Sequence, residues 1–169
     1  MKRRSSPSNL ANMAFTFRKA LPSDYAGVDR VLRAAFTPYI RKLGREIGPD
    51  YNNRLGSSIE RGDVYVAVDA DQVAGVAVTE RQEGGLYLDR LAVDPARQGT
   101  GLGSWLLVRL EEVARERGVP AMSLFTAEMA MANVRLYQRH GFEIVERGPP
   151  THGKDSHMRV YMVKRLETA

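Results

Sequence analysis

Eight residues at positions 97–104, Arg-Gln-Gly-Thr-Gly-Leu-Gly-Ser, separate a run with strand character at 86–93 from a helical pattern that continues to about residue 117. A second apolar run follows at 121–125. Strand, glycine turn, amphipathic helix and strand in that order predict a right-handed crossover that sets the two strands parallel in one sheet. Leu102, Trp105, Leu106, Leu110 and Val113 recur at spacings of three and four, so they share one helical face and should pack on that sheet, with Gly118 capping the C-terminus. Glycines at 99, 101 and 103 let the chain curl so that backbone N–H groups converge at the positive end of the helix dipole. That arrangement is a cradle for an anion.

The remaining punctuation sets the rest of the order. A short strand is expected at 14–18, then Pro22-Ser23-Asp24 as a helix start ahead of Val28, Val31, Leu32, Ala35 and Phe36. Between 37 and 61, Pro38, Gly44, Gly48, Pro49 and Gly56 should break the chain into one or two short helices, a mixed segment suited to framing a substrate mouth. Runs at 64–68 and 73–79 read as a hairpin through Asp69-Ala70-Asp71, and a turn at Gly84-Gly85 leads into 86–93, giving three antiparallel strands. A helix is expected over 130–140, stopped by Gly141, and strands at 142–146 and 157–163 flank a loop at 148–153. The fold class is α/β (α+β).

With 169 residues, the chain suits a single domain, placed at 14–169. There is no cysteine, which removes disulfides, thiolate metal sites and a cysteine nucleophile, and is compatible with a cytoplasmic location. The net charge of +5 belongs to the N-terminal end: residues 1–19 hold Lys2, Arg3, Arg4, Arg18 and Lys19 and no acid, leaving 20 bases against 20 acids. A neutral body speaks against nucleic acid as a partner. Residues 1–13, basic and rich in Ser and Asn, read as a flexible leader without an apolar stretch long enough for a signal peptide or a membrane span, and Met13 is an alternative start.

Three signatures compete for the glycine loop. A nucleotide P-loop ends in Gly-Lys-Ser/Thr, but Gly103 is followed directly by Ser104. A dinucleotide fingerprint needs glycine at 104 or 106, where Ser104 and Leu106 stand. The third, Gln/Arg-x-x-Gly-x-Gly/Ala, is met by Gln98-Gly99-Thr100-Gly101-Leu102-Gly103. It resembles the pyrophosphate loop of the GNAT superfamily of N-acetyltransferases. Leu91-Ala92-Val93-Asp94-Pro95 before the loop and Asn133-Val134-Arg135-Leu136-Tyr137-Gln138-Arg139-His140-Gly141-Phe142 after it resemble two further segments of that family, and the element order matches from about residue 15 to 166.

The resemblance implies a central, mixed, mostly antiparallel sheet of about seven strands, splayed in the middle and flanked by about four helices. It implies acetyl-CoA as co-substrate, no metal, and acetyl transfer to a primary amine of a small molecule or a protein by direct attack in a ternary complex. The alternative is a non-catalytic acyl-CoA-binding module of the same fold. Backbone N–H groups of Gln98, Gly99, Thr100, Gly101, Leu102, Gly103 and Ser104 would hold the pyrophosphate, with the Thr100 or Ser104 hydroxyl as extra donors. Leu91, Ala92 and Val93 would present main-chain groups to the pantetheine arm, and an N–H near Leu91 would polarise the thioester carbonyl.

Asn133 and Tyr137 are four apart, so on a helix they share a face. Tyr137 is the expected general acid for the leaving thiolate, and Asn133 either contacts the cofactor or caps the helix. Asp89 is the nominal general base; it and Tyr87 should share side-chain parity with Leu91, while Glu80, Glu83, Glu128, His152 and His157 are rim alternatives, as is a water relay. Segments 37–61 and 148–157 should frame the acceptor mouth. Their Tyr39, Arg41, Lys42, Arg45, Tyr51, His152 and Lys154 hint at an acceptor with an acid group. Homodimers are common in the family, and the sequence is silent on whether this chain forms one.

Overall fold

The computed structural model of the protein describes residues 15–167, so the leader at 1–13 lies outside the described residues. Seven strands form one sheet: β1 Thr16–Lys19, β2 Val64–Asp69, β3 Gln72–Gln82, β4 Gly85–Val93, β5 Ala121–Ala127, β6 Glu143–Gly148 and β7 Arg159–Arg165. Their order is β1-β2-β3-β4-β5-β7-β6, with β4 and β5 as the parallel pair and every other neighbour antiparallel. Four helices flank it: α1 Tyr25–Lys42, α2 Leu55–Glu60, α3 Leu102–Glu116 and α4 Met131–Arg139.

Helices cover the two faces unevenly. On one face α1 and α2 bury Val28, Val31, Leu32, Leu55 and Ile59 against Val64, Val66, Val76, Val78 and Ala92. On the other, Leu107, Leu110 and Ala114 of α3 and Tyr137 of α4 meet Leu86, Leu88, Met122, Leu124 and Met162. Trp105 is only partly buried, edge-on to Phe17 with ring centroids 6.1 Å apart. Gly75 lets α3 lie this close, because a Cβ there would stand 2.8 Å from Leu106 Cδ1.

The hairpin expected through Asp69-Ala70-Asp71 is present but tighter: Asp69 pairs with Gln72, so the loop is two residues, Ala70 and Asp71, both at positive φ (47° and 67°), the twist that matches right-handed strands. One expectation fails. Pro38 does not end the first helix, which runs 18 residues through it. Its missing N–H leaves the Ala34 carbonyl without a helical donor, while the Thr37 hydroxyl donates to the Arg33 carbonyl at 2.6 Å. Beyond the proline, Ile40 is buried and the Tyr39 hydroxyl accepts the Ala127 N–H at 3.0 Å. Tertiary contacts hold the last turn in place.

Candidate active site

The site begins with a one-residue irregularity in β4. Pairing with β3 runs Ala77↔Leu91 and Val78↔Arg90, then shifts to Thr79↔Leu88, so Asp89 is the extra residue of a β-bulge. A bulge bends its strand and reverses the side-chain alternation beyond it. Leu86 and Leu88 therefore face α3, as do Leu91 and Val93, although 88 and 91 differ in parity. This corrects the expectation that Tyr87, Asp89 and Leu91 share a face. Pairing of β4 with β5 stops at the same point, Leu88↔Leu124 being the last partners. From Asp89 to Val93 the edge of β4 turned toward β5 has no strand partner, which is the splay.

A cleft of about 650 Å³ occupies the gap. Residues 88–93 form one wall, Leu124, Phe125 and Thr126 the other, and Gln98, Gly99, Gly101, Leu102, Gly103 and Ser104 the floor at one end. Asn133, Leu136, Tyr137 and Arg139 of α4 lie along it, and Ala35, Phe36 and Tyr39 of α1 close the far end. The cleft thus brings together Leu91, Ala92, Val93, Asn133, Tyr137 and Asp89. Tyr39 reaches it from α1 rather than from a broken loop, and Arg139, two positions beyond Tyr137, was singled out by no pattern.

The glycine loop is held by its neighbours before any ligand arrives. Arg97 Nη1 donates to Asp69 at 2.5 Å, Arg30 Nη1 donates to Asp94 at 3.0 Å, and Asp94 in turn accepts the Ala96 N–H at 3.1 Å. Gly99 and Gly101 have φ of 79° and 88°, a region that side-chain-bearing residues rarely adopt, and a Cβ at Gly99 would meet nothing within 4 Å. Gly103 is different: it is the second residue of α3, and the curl does not depend on it. The first N–H to bond back along α3 is that of Trp105, to Gly101 O at 3.0 Å. The donors of Leu102, Gly103 and Ser104 have no preceding carbonyl and open toward the cleft floor. Thr100 does not line that floor, and its hydroxyl is taken up by the Arg97 carbonyl, to which it donates at 2.6 Å.

Tyr137 is buried at the meeting of cleft and core, edge-on to Phe142 with centroids 5.8 Å apart. Burial, with a smaller contribution from the nearby Tyr39 phenol, raises its pKa well above the ordinary phenol value. Asn133, one turn earlier, is exposed at the rim, and it caps nothing, since the helix begins two residues before it. Asp89 is partly exposed, 3.4 Å from Arg90 Nε.

Of the rim alternatives, Glu128 is ion-paired with Arg147, and His152 Nδ1 accepts the Lys154 N–H at 2.9 Å. Two of the basic residues of the mouth are compensated. Arg41 pairs with Glu46 at 3.2 Å and Arg45 with Asp155 at 3.5 Å, which weakens the hint of an acidic acceptor. Among the described residues no group of three or more His, Asp and Glu is placed to hold a metal ion, and no helix is long and apolar enough to cross a membrane.

Comparison with known proteins gives the arrangement a context. The chain is 34% identical over 103 residues to an acetyltransferase of Agrobacterium fabrum, covering 60% of this chain and 74% of that protein. Its fold is similar to that of the PaiA N-acetyltransferase of Thermoplasma acidophilum in complex with coenzyme A (TM-score 0.75, 18% identity, 91% of this chain and all of that one). It is similar also to YncA of Salmonella typhimurium with acetyl-CoA (TM-score 0.71, 24% identity, 92% and 95%). A model of the acetyltransferase (GNAT) domain matches residues 60–144, which carry the bulge, the glycine loop and Tyr137. Half the chain, including most of the cleft, follows that pattern: the protein is a member of the GNAT acetyltransferase family.

Proposed function

We propose that the protein transfers the acetyl group of acetyl-CoA to a primary amine, by direct attack while both substrates are bound. The observation that carries this reading is the bulge at Asp89, which leaves the β4 edge from Asp89 to Val93 facing a cleft whose floor is the glycine loop. The cleft suits an extended molecule with an anionic end. Its loop offers N–H groups where a Cβ would otherwise stand, and its wall offers a strand edge able to hydrogen-bond an amide-bearing arm. Acetyl-CoA supplies an activated acyl group on a thiol leaving group; the protein positions it and manages two protons.

Main-chain N–H groups near Leu91 are the donors for the carbonyl oxygen as charge develops there. Tyr137 gives its hydroxyl proton to the departing sulfur, and recovers one from solvent after release. Its raised pKa is no obstacle, because the same dry surroundings raise the basicity of a thiolate, preserving the difference between the two groups in water. The raised value also keeps Tyr137 protonated at every physiological pH. The amine's proton leaves toward the open side of the splay, where Asp89 stands partly exposed as the acceptor nearest the cleft wall, alone or through water.

The decisive measurement is thiol release from acetyl-CoA with a panel of primary amines, for the wild type and Tyr137→Phe. Amine-dependent release that falls about a hundredfold in the variant supports the reading. Tight acetyl-CoA binding with no release for any amine refutes it.

A further inference from the structure

Resting on that donor reading, we infer that the acceptor is a cationic primary amine carried on an aromatic ring, an arylalkylamine, seated in a second cavity on the far side of the splay. This cavity, of about 380 Å³, adjoins the acetyl-CoA cleft through Phe125, which lines both. Its volume is that of a small-molecule site.

The register places an unusual row of side chains here. Tyr87 is paired with Ser123, Phe125 lies two residues beyond Ser123 and is paired with Tyr161, and Tyr161 is paired with Glu146. Partners in register share a face, so Tyr87, Phe125, Tyr161 and Glu146 stand together across β4, β5, β7 and β6. The rings form a continuous wall, with centroids 6.2 Å apart from Tyr87 to Phe125 and 4.7 Å from Phe125 to Tyr161. Pro149 and Pro150 face them from the β6–β7 loop. Phe125 is 51% exposed in the middle of the sheet, although its strand neighbours Leu124 and Thr126 are buried. A large apolar ring left open beside a catalytic cleft marks a binding surface. A wall of rings and prolines matches a planar apolar body of similar size.

The charge around this wall selects the cation. Glu146 lines the cavity, and Glu80 is paired in register with Tyr87 on the same face. Neither stands in an ion pair with a described residue. Arg159, the basic group of the lining, is taken up by Asp155 at 3.1 and 2.9 Å. His152 is held below its ordinary pKa by desolvation and the nearby Arg45, and its Nδ1 accepts the Lys154 N–H. The negative charge of Asp89 and Glu80 also reaches Tyr87, whose hydroxyl is pushed up to about 12, chiefly by burial. With Glu146 in the lining, Glu80 beside Tyr87 and Asp89 in the adjoining cleft, the surroundings favour an ammonium group on the acceptor over a carboxylate.

The test compares kcat/KM for 2-phenylethylamine, hexylamine, phenylalanine and a short peptide with a free N-terminus, in the wild type, Tyr161→Ala and Tyr161→Phe. At least a tenfold preference for phenylethylamine over both hexylamine and phenylalanine is expected. That preference should be lost in Tyr161→Ala and retained in Tyr161→Phe, which also controls for folding. Equal or better use of hexylamine, phenylalanine or the peptide overturns the acceptor assignment and leaves the donor reading standing. If no amine releases thiol, the donor reading fails. The cavity is then judged by calorimetric binding of phenylethylamine: saturable binding abolished by Tyr161→Ala upholds it, and no binding overturns it.

Discussion

Tyr137 and the glycines of the loop show how single residues divide the work. A buried phenol with a raised pKa stays protonated across the accessible pH range, so its pKa acts only above the window in which amines lose their protons. The rate of acetyl transfer should therefore climb with pH as the substrate amine deprotonates, with no descending limb from Tyr137 up to about pH 10; a pH–rate profile checks this. Tyr137→Phe removes the proposed proton donor but not the ring contact with Phe142, so kcat should drop by about a hundredfold while KM for acetyl-CoA changes little. The loop glycines are not equivalent. Gly101 sits at φ 88°, where a Cβ costs about 1–2 kcal/mol, so Gly101→Ala should lower stability by that amount and raise KM for acetyl-CoA. Gly103 is helical, with room for a Cβ 3.6 Å from Leu136, so Gly103→Ala should be close to neutral in thermal melts.

At the level of elements, the parallel pair β4–β5 and the β6–β7 loop set the shape of the two cavities. Gly85 opens β4 where it meets β5, and a Cβ there would lie 2.6 Å from the Ala121 carbonyl oxygen, a backbone atom that cannot step aside. Gly85→Ala should force the strands apart and destabilise the protein by about 1–3 kcal/mol, measured by urea unfolding. The loop is anchored by Asp155, whose carboxylate takes a bidentate hydrogen bond from Arg159, accepts the His157 N–H and is held down to about 2. A carboxylate with a depressed folded-state pKa contributes stability that is fully present above its unfolded value near 3.8 and is lost as pH falls through 2. Proteolytic nicking within residues 148–157 should accordingly rise between about pH 4 and pH 2 in the wild type, and already be high at pH 7 in Asp155→Asn.

Taken whole, the molecule keeps its core on the two sides of a sheet that its own bulge pries open. Such a cleft leaves strand edges and helix N–H groups that a bound ligand would satisfy, so acetyl-CoA at a hundred times its Kd should add about 2.7 kcal/mol. For a domain of this size that is a rise of about 5–10 °C in Tm, readable by scanning calorimetry. The order of elements, the parallel pairing of β4 with β5, the hairpin between β2 and β3 and the glycine loop were legible in the chain alone, because each rests on a local period or a turn chemistry spanning a few residues. The same locality marked Gln98 to Ser104 as an anion cradle and set Asn133 and Tyr137 on one helix. The continuation of α1 through Pro38 was not legible, since contacts made by Ile40 and Tyr39 elsewhere in the fold outweigh the lost hydrogen bond. Nor was the phase of β4: alternation read from the sequence assumes an unbroken pleat, and the extra residue at Asp89 is visible only in its pairing with β3. That single residue decides which side chains beyond it face each side and where β5 parts from β4, while the β4–β5 and β5–β7 registers bring Tyr87, Phe125 and Tyr161 onto one wall. Sequence determined the parts and the glycine loop through short-range patterns; the register between distant strands, which only tertiary structure settles, made the aromatic wall proposed for the acceptor.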